Sequence, residues 1–209
     1  MAGSANWIAW FLAAYFTFVA GFYACRLLFD KSRNRLLHHG DVGSRHWWGH
    51  LSFRIFRILI WGICVTRAFR PAVDTYIVVF SGLIAPWLQV TGAVLLVLGF
   101  LTAVVGHNNL GEAWRSGIDP RGPAKLVTNR LYAWSRNPMY LGVLTAQIGF
   151  FLALPSLFTL VCLVAGLMSV FSQVRLEETH LKGKFPSDYA NYSANVSRWL
   201  QIKACKSVT

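Results

Sequence analysis

Polar and apolar positions along this chain fall into long separate blocks, with little of the short alternation that marks amphipathic helices or half-buried strands. Residues 1–25 carry no charge, and Trp7–Cys25 is a run of nineteen uncharged, mostly apolar residues, enough to cross a hydrocarbon core of about 30 Å as a helix. Its positive flank (Arg26, Lys31, Arg33, Arg35) follows the apolar stretch, the reverse of a signal peptide, so the run reads as a first transmembrane helix. A second charge-free block runs from Thr75 to Gly111 and a third from Asn137 to Val174. The third has thirty-eight residues, and as one helix it would reach about 57 Å at about 1.5 Å per residue. That is close to twice the core thickness, so Pro155-Ser156 near its middle predicts a helical hairpin, 138–174, turning at Pro155.

The basic residues set an orientation. Eighteen of the twenty Lys and Arg residues lie in three clusters: Arg26–Arg57, the loop between His107 and Arg136, and the stretch from Arg175 onward; Arg67 and Arg70 remain. The positive-inside rule puts all three clusters in the cytoplasm. The N-terminus is then outside, the C-terminal tail is cytoplasmic, and an even number of crossings separates Arg57 from His107. One plus two plus two gives about five spans. In the middle pair, Leu51–Phe69 spans if Arg54 and Arg57 snorkel inward and Arg67 outward, with Tyr76–Gly106 broken at Pro86. Alternatively, Leu51–Phe69 lies in the interface and the two crossings fall on either side of Pro86. The expected fold is all-α, a polytopic membrane helical bundle. Residues 1–106 form N-terminal transmembrane helices with a basic cytoplasmic loop, and residues 107–209 carry the chemistry.

Composition agrees. Of 209 residues 55% are hydrophobic and 13% charged, with nine Trp and fifteen Phe, about half the usual charged share of a soluble domain. This excludes a disordered chain, a coiled coil and nearly every ordinary soluble fold. The net charge of +12 reflects topology and attraction to anionic lipid, not nucleic-acid recognition. Cys25, Cys64, Cys162 and Cys205 form no C-x-x-C pair, so neither a zinc site nor a disulfide framework is expected. His38, His39, His46 and His50 share an Arg-rich loop with Trp47-Trp48; with no carboxylate or thiol to complete a site, no metal is expected.

Chemistry is expected at the cytoplasmic ends of the helices. In Arg136-Asn137-Pro138-Met139-Tyr140-Leu141-Gly142, Pro138 suits the first helical position and Asn137 the N-cap. The free N–H groups of that helix start, with Arg136 beside them, suit a carboxylate or phosphate; an Arg-flanked start also serves any transmembrane helix as plain structure. Glu177-Glu178 are two of only eight acids. Neighbours on a helix point about 100° apart, so the pair is expected to divide, one facing a ligand ammonium and the other pairing with Arg175 or a loop arginine. In the tail, Tyr189-x-x-Tyr192-x-x-x-Val196-x-Arg198-Trp199-Leu200 reads as one aromatic and cationic helical face, lying on the membrane surface or folded back over a pocket.

Taken in order, Leu126-Val127-Thr128, Tyr132-Ala133-Trp134, Arg136-Asn137-Pro138-Met139-Tyr140-x-Gly142, Glu177-Glu178 and Tyr189-x-x-Tyr192-x-x-x-Val196 resemble the isoprenylcysteine carboxyl methyltransferase and phospholipid methyltransferase superfamily. The resemblance covers roughly residues 105–200. It implies an integral-membrane methyltransferase that takes S-adenosyl-L-methionine from the cytosol and a lipidic or small hydrophobic acceptor from the bilayer. By position it implies a cofactor pocket of Lys125, Leu126, Val127, Tyr132, Arg136, Asn137, Pro138, Met139 and Tyr140, with Glu177 holding the donor's amino group. Gln173, Arg175 and Glu178 are the positions nearest the expected acceptor.

The chain departs from the superfamily pattern at several points. Asn137 stands where the prenylcysteine enzymes have His, as in the phospholipid enzymes and many bacterial relatives. Arg130 replaces a usual Gly. Gln173 occupies the place of the arginine that meets the prenylcysteine carboxylate, so a carboxylate acceptor loses that partner. Leu110-Gly111-x-x-Trp114-Arg115-x-Gly117 looks like bacterial members and reads as a lid. Methyl transfer needs donor and acceptor aligned and dry; an amine or thiol acceptor also needs a base, such as Glu178 or a tyrosine, and no catalytic residue is assigned. Two other readings compete: an NADPH-dependent membrane sterol reductase, which usually has an acid where this chain has Val143, and a non-catalytic membrane protein that keeps the fold. Likeness to bacterial members points to a bacterial inner membrane with the active site facing the cytoplasm.

Overall fold

The computed structural model describes residues 6–29, 45–111 and 125–200. In chain order these form α1 (Asn6–Phe29), α2 (Arg45–Phe69), the single turn α3 (Val73–Tyr76), α4 (Pro86–Leu110), α5 (Pro138–Ala153), α6 (Leu157–Lys184) and α7 (Pro186–Asn195), with short 3₁₀ turns at Ser81–Leu83 and Arg130–Ala133. The described part is all-helical apart from one bridge between Val79 and Ser156. Among the described residues three helices are long and apolar enough to cross a membrane: Trp7–Arg26, Pro86–Leu110 and Leu157–Lys184; Pro138–Ala153 is apolar but shorter. α4 begins at Pro86 as one continuous helix, and residues 70–85 hold only short turns. Crossings on both sides of Pro86 are thereby excluded. The stretches Arg33–His39, Trp114–Gly117 and Arg121, and Cys205, lie outside the described residues, as do the side chains of His46 and His50.

The hairpin turns where the sequence places it. Ser156 Oγ accepts from Thr159 N at 3.2 Å while Ser156 N donates to Thr159 Oγ1 at 3.1 Å, a reciprocal cap that satisfies two otherwise orphaned donors. Loop 77–80 is laced to this turn: Phe80 N donates to Pro155 O at 2.9 Å and Leu157 N to Val78 O at 3.0 Å. Nearby, the Arg67 guanidinium pairs with the Asp74 carboxylate. α6 continues to Lys184, ten residues beyond the expected hairpin end, and this extension carries the acidic pair opposite the start of α5.

The tightest packing is between α4 and α5. Gly92, Gly99 and Gly106 recur every seven residues on α4, opposite Gly142 and Gly149 on α5. A Cβ on Gly99 would lie 2.6 Å from Gly142 O, and one on Gly142 would lie 2.5 Å from Ala103 N. Backbones therefore touch along the seam, the kind of close approach that small residues permit between apolar helices. At its end a Cβ on Gly106 would meet Met139 N at 2.9 Å. The seam thus fixes the first turn of α5. The remaining core is formed by Ile8 and Leu12 of α1, Cys64 of α2, Leu96 of α4 and Phe150, Ala153 and Leu154 of the hairpin. Tyr15 ties α1 to α4 by donating to Leu96 O at 2.9 Å.

Candidate active site at the hairpin mouth

Asn137 takes the N-cap position of α5, but its side chain makes no capping bond. Its Nδ2 instead donates to Glu178 Oε1 at 3.0 Å and to Arg198 O at 3.3 Å, while its own N–H donates to Ser135 Oγ at 3.1 Å. The capping role expected from sequence is lost because a buried carboxylate is a stronger acceptor for that amide. First-turn N–H groups of a helix have no intrahelical acceptor. This helix start has no side-chain cap.

Across from this start stands α6. Glu177 Oε1 accepts from Tyr140 Oη at 2.5 Å and from Gln173 Nε2 at 3.1 Å. Glu178 receives Arg198 Nη2 at 2.7 Å and Arg198 Nε at 3.1 Å on Oε2, with Arg136 Nη1 3.8 Å from Oε1. Arg136 also donates to Tyr189 Oη at 3.1 Å and lies 5.8 Å from that ring's centre. One sequence expectation is corrected here. Both glutamates line the same cleft, because the residues around Glu178 close over it from the far side. Of the two partners expected for the second acid, Arg175 or a loop arginine, the loop residue Arg136 is observed, together with Arg198 of the tail.

The tail differs from the expected continuous helix. α7 ends at Asn195 with Val196 extended, and residues 196–200 run back as a strap. Arg136 N donates to Ser197 O at 3.0 Å and Ser135 Oγ to Arg198 O at 3.3 Å. Trp199 packs on the buried cluster of Leu144, Val170 and Val174 and meets Phe171 edge-on, with ring centres 5.4 Å apart. Of the two tail readings, folding back over a pocket is the one observed.

Lys125, Leu126, Val127, Tyr132, Arg136, Asn137, Met139, Tyr140, Glu177 and Glu178 line the cleft. Pro138 is buried. Gln173 reaches the cleft only through its bond to Glu177, and Arg175 lines a different groove. The sequence reading missed Leu110, Leu181, Tyr189 and Tyr192 as cleft residues. Leu181 is one turn beyond Glu177 and Leu110 one turn beyond Gly106, so helical spacing carried a signal for both. Tyr192 Oη donates to Tyr132 O at 2.7 Å. Burial pushes the Tyr132 and Tyr192 phenols above their ordinary range, so both stay neutral. The hydrogen bond to Glu178 holds the Arg198 guanidinium up. The cleft holds about 90 Å³, below the ~300 Å³ lower end for small-molecule sites.

An apolar hairpin with a carboxylate, a cation, clustered tyrosines and an uncapped helix start at its mouth defines a class: a membrane protein with a polar ligand site at the membrane edge. Residues 87–188 match the model of the phospholipid methyltransferase family. A protein-S-isoprenylcysteine O-methyltransferase of Saccharomyces cerevisiae is 31% identical over 110 residues, which cover 51% of this chain and 46% of that protein. The chain thus matches about half the length of that relative. Through this C-terminal half the chain is similar to the membrane phospholipid and isoprenylcysteine methyltransferases.

Proposed function

We propose that the chain is an integral-membrane methyltransferase using S-adenosyl-L-methionine, with a lipidic or small hydrophobic acceptor. The observation that carries this reading is the Tyr140–Glu177 contact of 2.5 Å facing the uncapped start of α5. The donor set fits the cofactor. Glu177 suits an ammonium, the N–H groups of Met139 and Tyr140 with Arg136 suit a carboxylate, and the faces of Tyr132, Tyr189 and Tyr192 suit an adenine or a sulfonium. When bound, the cofactor supplies an electrophilic methyl group on a leaving group that is already activated. The chain's own part is to hold, align and exclude water: Glu177 and α5 fix the two ends of the zwitterion, and the strap covers the mouth. Gln173, which bonds Glu177, stands where the prenylcysteine enzymes have arginine, which favours a neutral or protic acceptor over a carboxylate.

The five-span topology follows in the same reading. α1, α2, α4, α5 and α6 cross, the N-terminus is outside, and the cleft faces the cytoplasm of a bacterial inner membrane, as the three basic clusters require. The test is binding of radiolabelled S-adenosylmethionine to detergent-purified protein, followed by labelling of a lipid and metabolite extract. Saturable binding lost in Glu177→Ala and unaffected by NADPH is expected. Absence of saturable binding, or binding of NADPH alone, overturns the reading.

A further inference from the structure

The outer face of α6 carries a groove that the cleft does not use. It holds about 650 Å³ and is lined by Val164, Leu167, Met168, Phe171, Ser172, Arg175 and Leu176. Its apolar residues stand open: Met168 is 69% exposed and Val164 49%. Any membrane helix shows an apolar face, but this one has a boundary and a polarity. Phe171 meets Trp199 of the strap along one edge, and Leu167 and Trp199 both pack on the same buried cluster, so the tail forms a side wall. At one end sits Arg175, exposed and without an ion-pair partner among the described residues, with the Ser172 hydroxyl one turn before it. At the other end everything is hydrocarbon.

The dimensions select an occupant. From Val164 to Arg175 is eleven residues, about 16 Å at about 1.5 Å per residue. That is half of a hydrocarbon core of about 30 Å, the depth of one leaflet. A cation at headgroup depth and an apolar track reaching the midplane match one molecule end to end: a membrane lipid with an anionic phosphate headgroup. Arg175 meets the phosphate as a planar fork of donors, Ser172 adds a hydroxyl donor, and one acyl chain lies over Phe171, Met168 and Val164. A second copy of this chain is a poorer match, because an isologous contact would bring Arg175 and the neighbouring basic end of α6 toward its symmetry mate.

We propose that this groove is a binding site for one anionic phospholipid of the leaflet on the cleft side, held by Arg175 and braced against the Trp199 strap. It is separate from the proposed methyl-transfer cleft and does not depend on it. The test is native mass spectrometry of the full chain released from nanodiscs of phosphatidylcholine and phosphatidylglycerol in equal parts. The wild type is expected to retain one phosphatidylglycerol with about fivefold preference, the size of one interfacial cation–anionic lipid contact. Arg175→Gln is expected to lose the preference while still retaining lipid, Met168→Trp to fill the track and lose retention, and Arg70→Gln, at the opposite end of the molecule, to change nothing. Arg175 and Met168 are exposed, and an unchanged thermal melt confirms that each variant folds. Equal retention of the two lipids by the wild type, or a preference that survives Arg175→Gln, overturns the proposal. So does a lipid-free dimer, which would assign the face to a second copy. Because the readout is lipid mass, failure of S-adenosylmethionine binding leaves this result unaffected.

Discussion

Tyr140, in the first turn of α5, donates its hydroxyl to Glu177, five turns into α6, at 2.5 Å. The two residues are 37 positions apart, and the hairpin turn at Pro155 brings them together. Gln173 supports the same carboxylate oxygen from one turn below. Glu177 is therefore held in a fixed orientation facing the helix start, by bonds that both fall on one carboxylate oxygen.

Removing that charge separates binding from folding. Glu177→Gln keeps the side-chain shape and a carbonyl acceptor for Tyr140 but no charge for an ammonium. A charge-assisted hydrogen bond contributes about 1.5–3 kcal/mol, so affinity for S-adenosylmethionine is expected to fall roughly tenfold to a hundredfold, measured by equilibrium binding. Tyr140→Phe frees Glu177 without removing its charge and is expected to cost tenfold or less, about 1 kcal/mol.

The α4–α5 seam gives a folding test with internal controls. Gly142→Ala places a Cβ 2.5 Å from the Ala103 backbone nitrogen, where only backbone displacement makes room. Overpacking of this kind costs about 1–3 kcal/mol, read as a lower melting temperature in detergent. Gly21→Ala and Gly62→Ala meet nothing within 4 Å and are expected to be neutral or to stabilise by up to about 1 kcal/mol, since Ala is the better helix former.

Arg130 offers a gain. It adopts φ 54, a left-handed conformation that costs an L-residue about 1–2 kcal/mol, at the position where the superfamily usually carries Gly. Arg130→Gly is expected to raise the melting temperature modestly, because relief of strain exceeds the extra unfolded-state freedom of Gly, about 0.5–1 kcal/mol. A lower melting temperature would contradict that balance.

The tyrosines beneath the strap set an alkaline limit. Burial raises the folded-state value of Tyr192 above its ordinary 10.0. A value raised on folding contributes stability that is intact below the unfolded value and is lost as pH climbs toward the folded one. The chain is therefore expected to hold its melting temperature up to about pH 10 and to lose it above that, where unfolding releases the phenol to ionise. Tyr192→Phe is expected to melt lower throughout, having lost its bond to Tyr132 O, and to show a flatter alkaline limb. Melting curves across the range check both slopes.

The strap is expected to open when its ion pair is removed. Glu178 is 11% exposed and Arg198 44% by side chain, so the two halves are unequal. Glu178→Ala takes the ion-pair partner of Arg136 and the carboxylate acceptor of Asn137 and is expected to cost about 2–3 kcal/mol or more. Arg198→Ala leaves a rim position empty and costs about 1 kcal/mol or less. Hydrogen exchange of residues 196–200 is expected to quicken in both, more in the first.

By itself the sequence marked long apolar segments and the hairpin turn at Pro155, while likeness to the superfamily pointed to Lys125 to Val127, Tyr132, Arg136, Asn137, Met139, Tyr140 and Glu177, all of which line the cleft. These signals are local. A charge-free block must leave water, a proline opens a helix, and an acid at a membrane edge needs a partner. The heptad glycines of α4 were visible too, but their meaning depended on which helix lay opposite. Only the tertiary structure decided that Asn137 leaves its cap for Glu178, that both glutamates face one cleft, that the tail unwinds after Asn195, and that Trp199 docks between α5 and α6. Each is a choice among acceptors or surfaces distant in the chain, and only the assembled helices bring those competitors within reach.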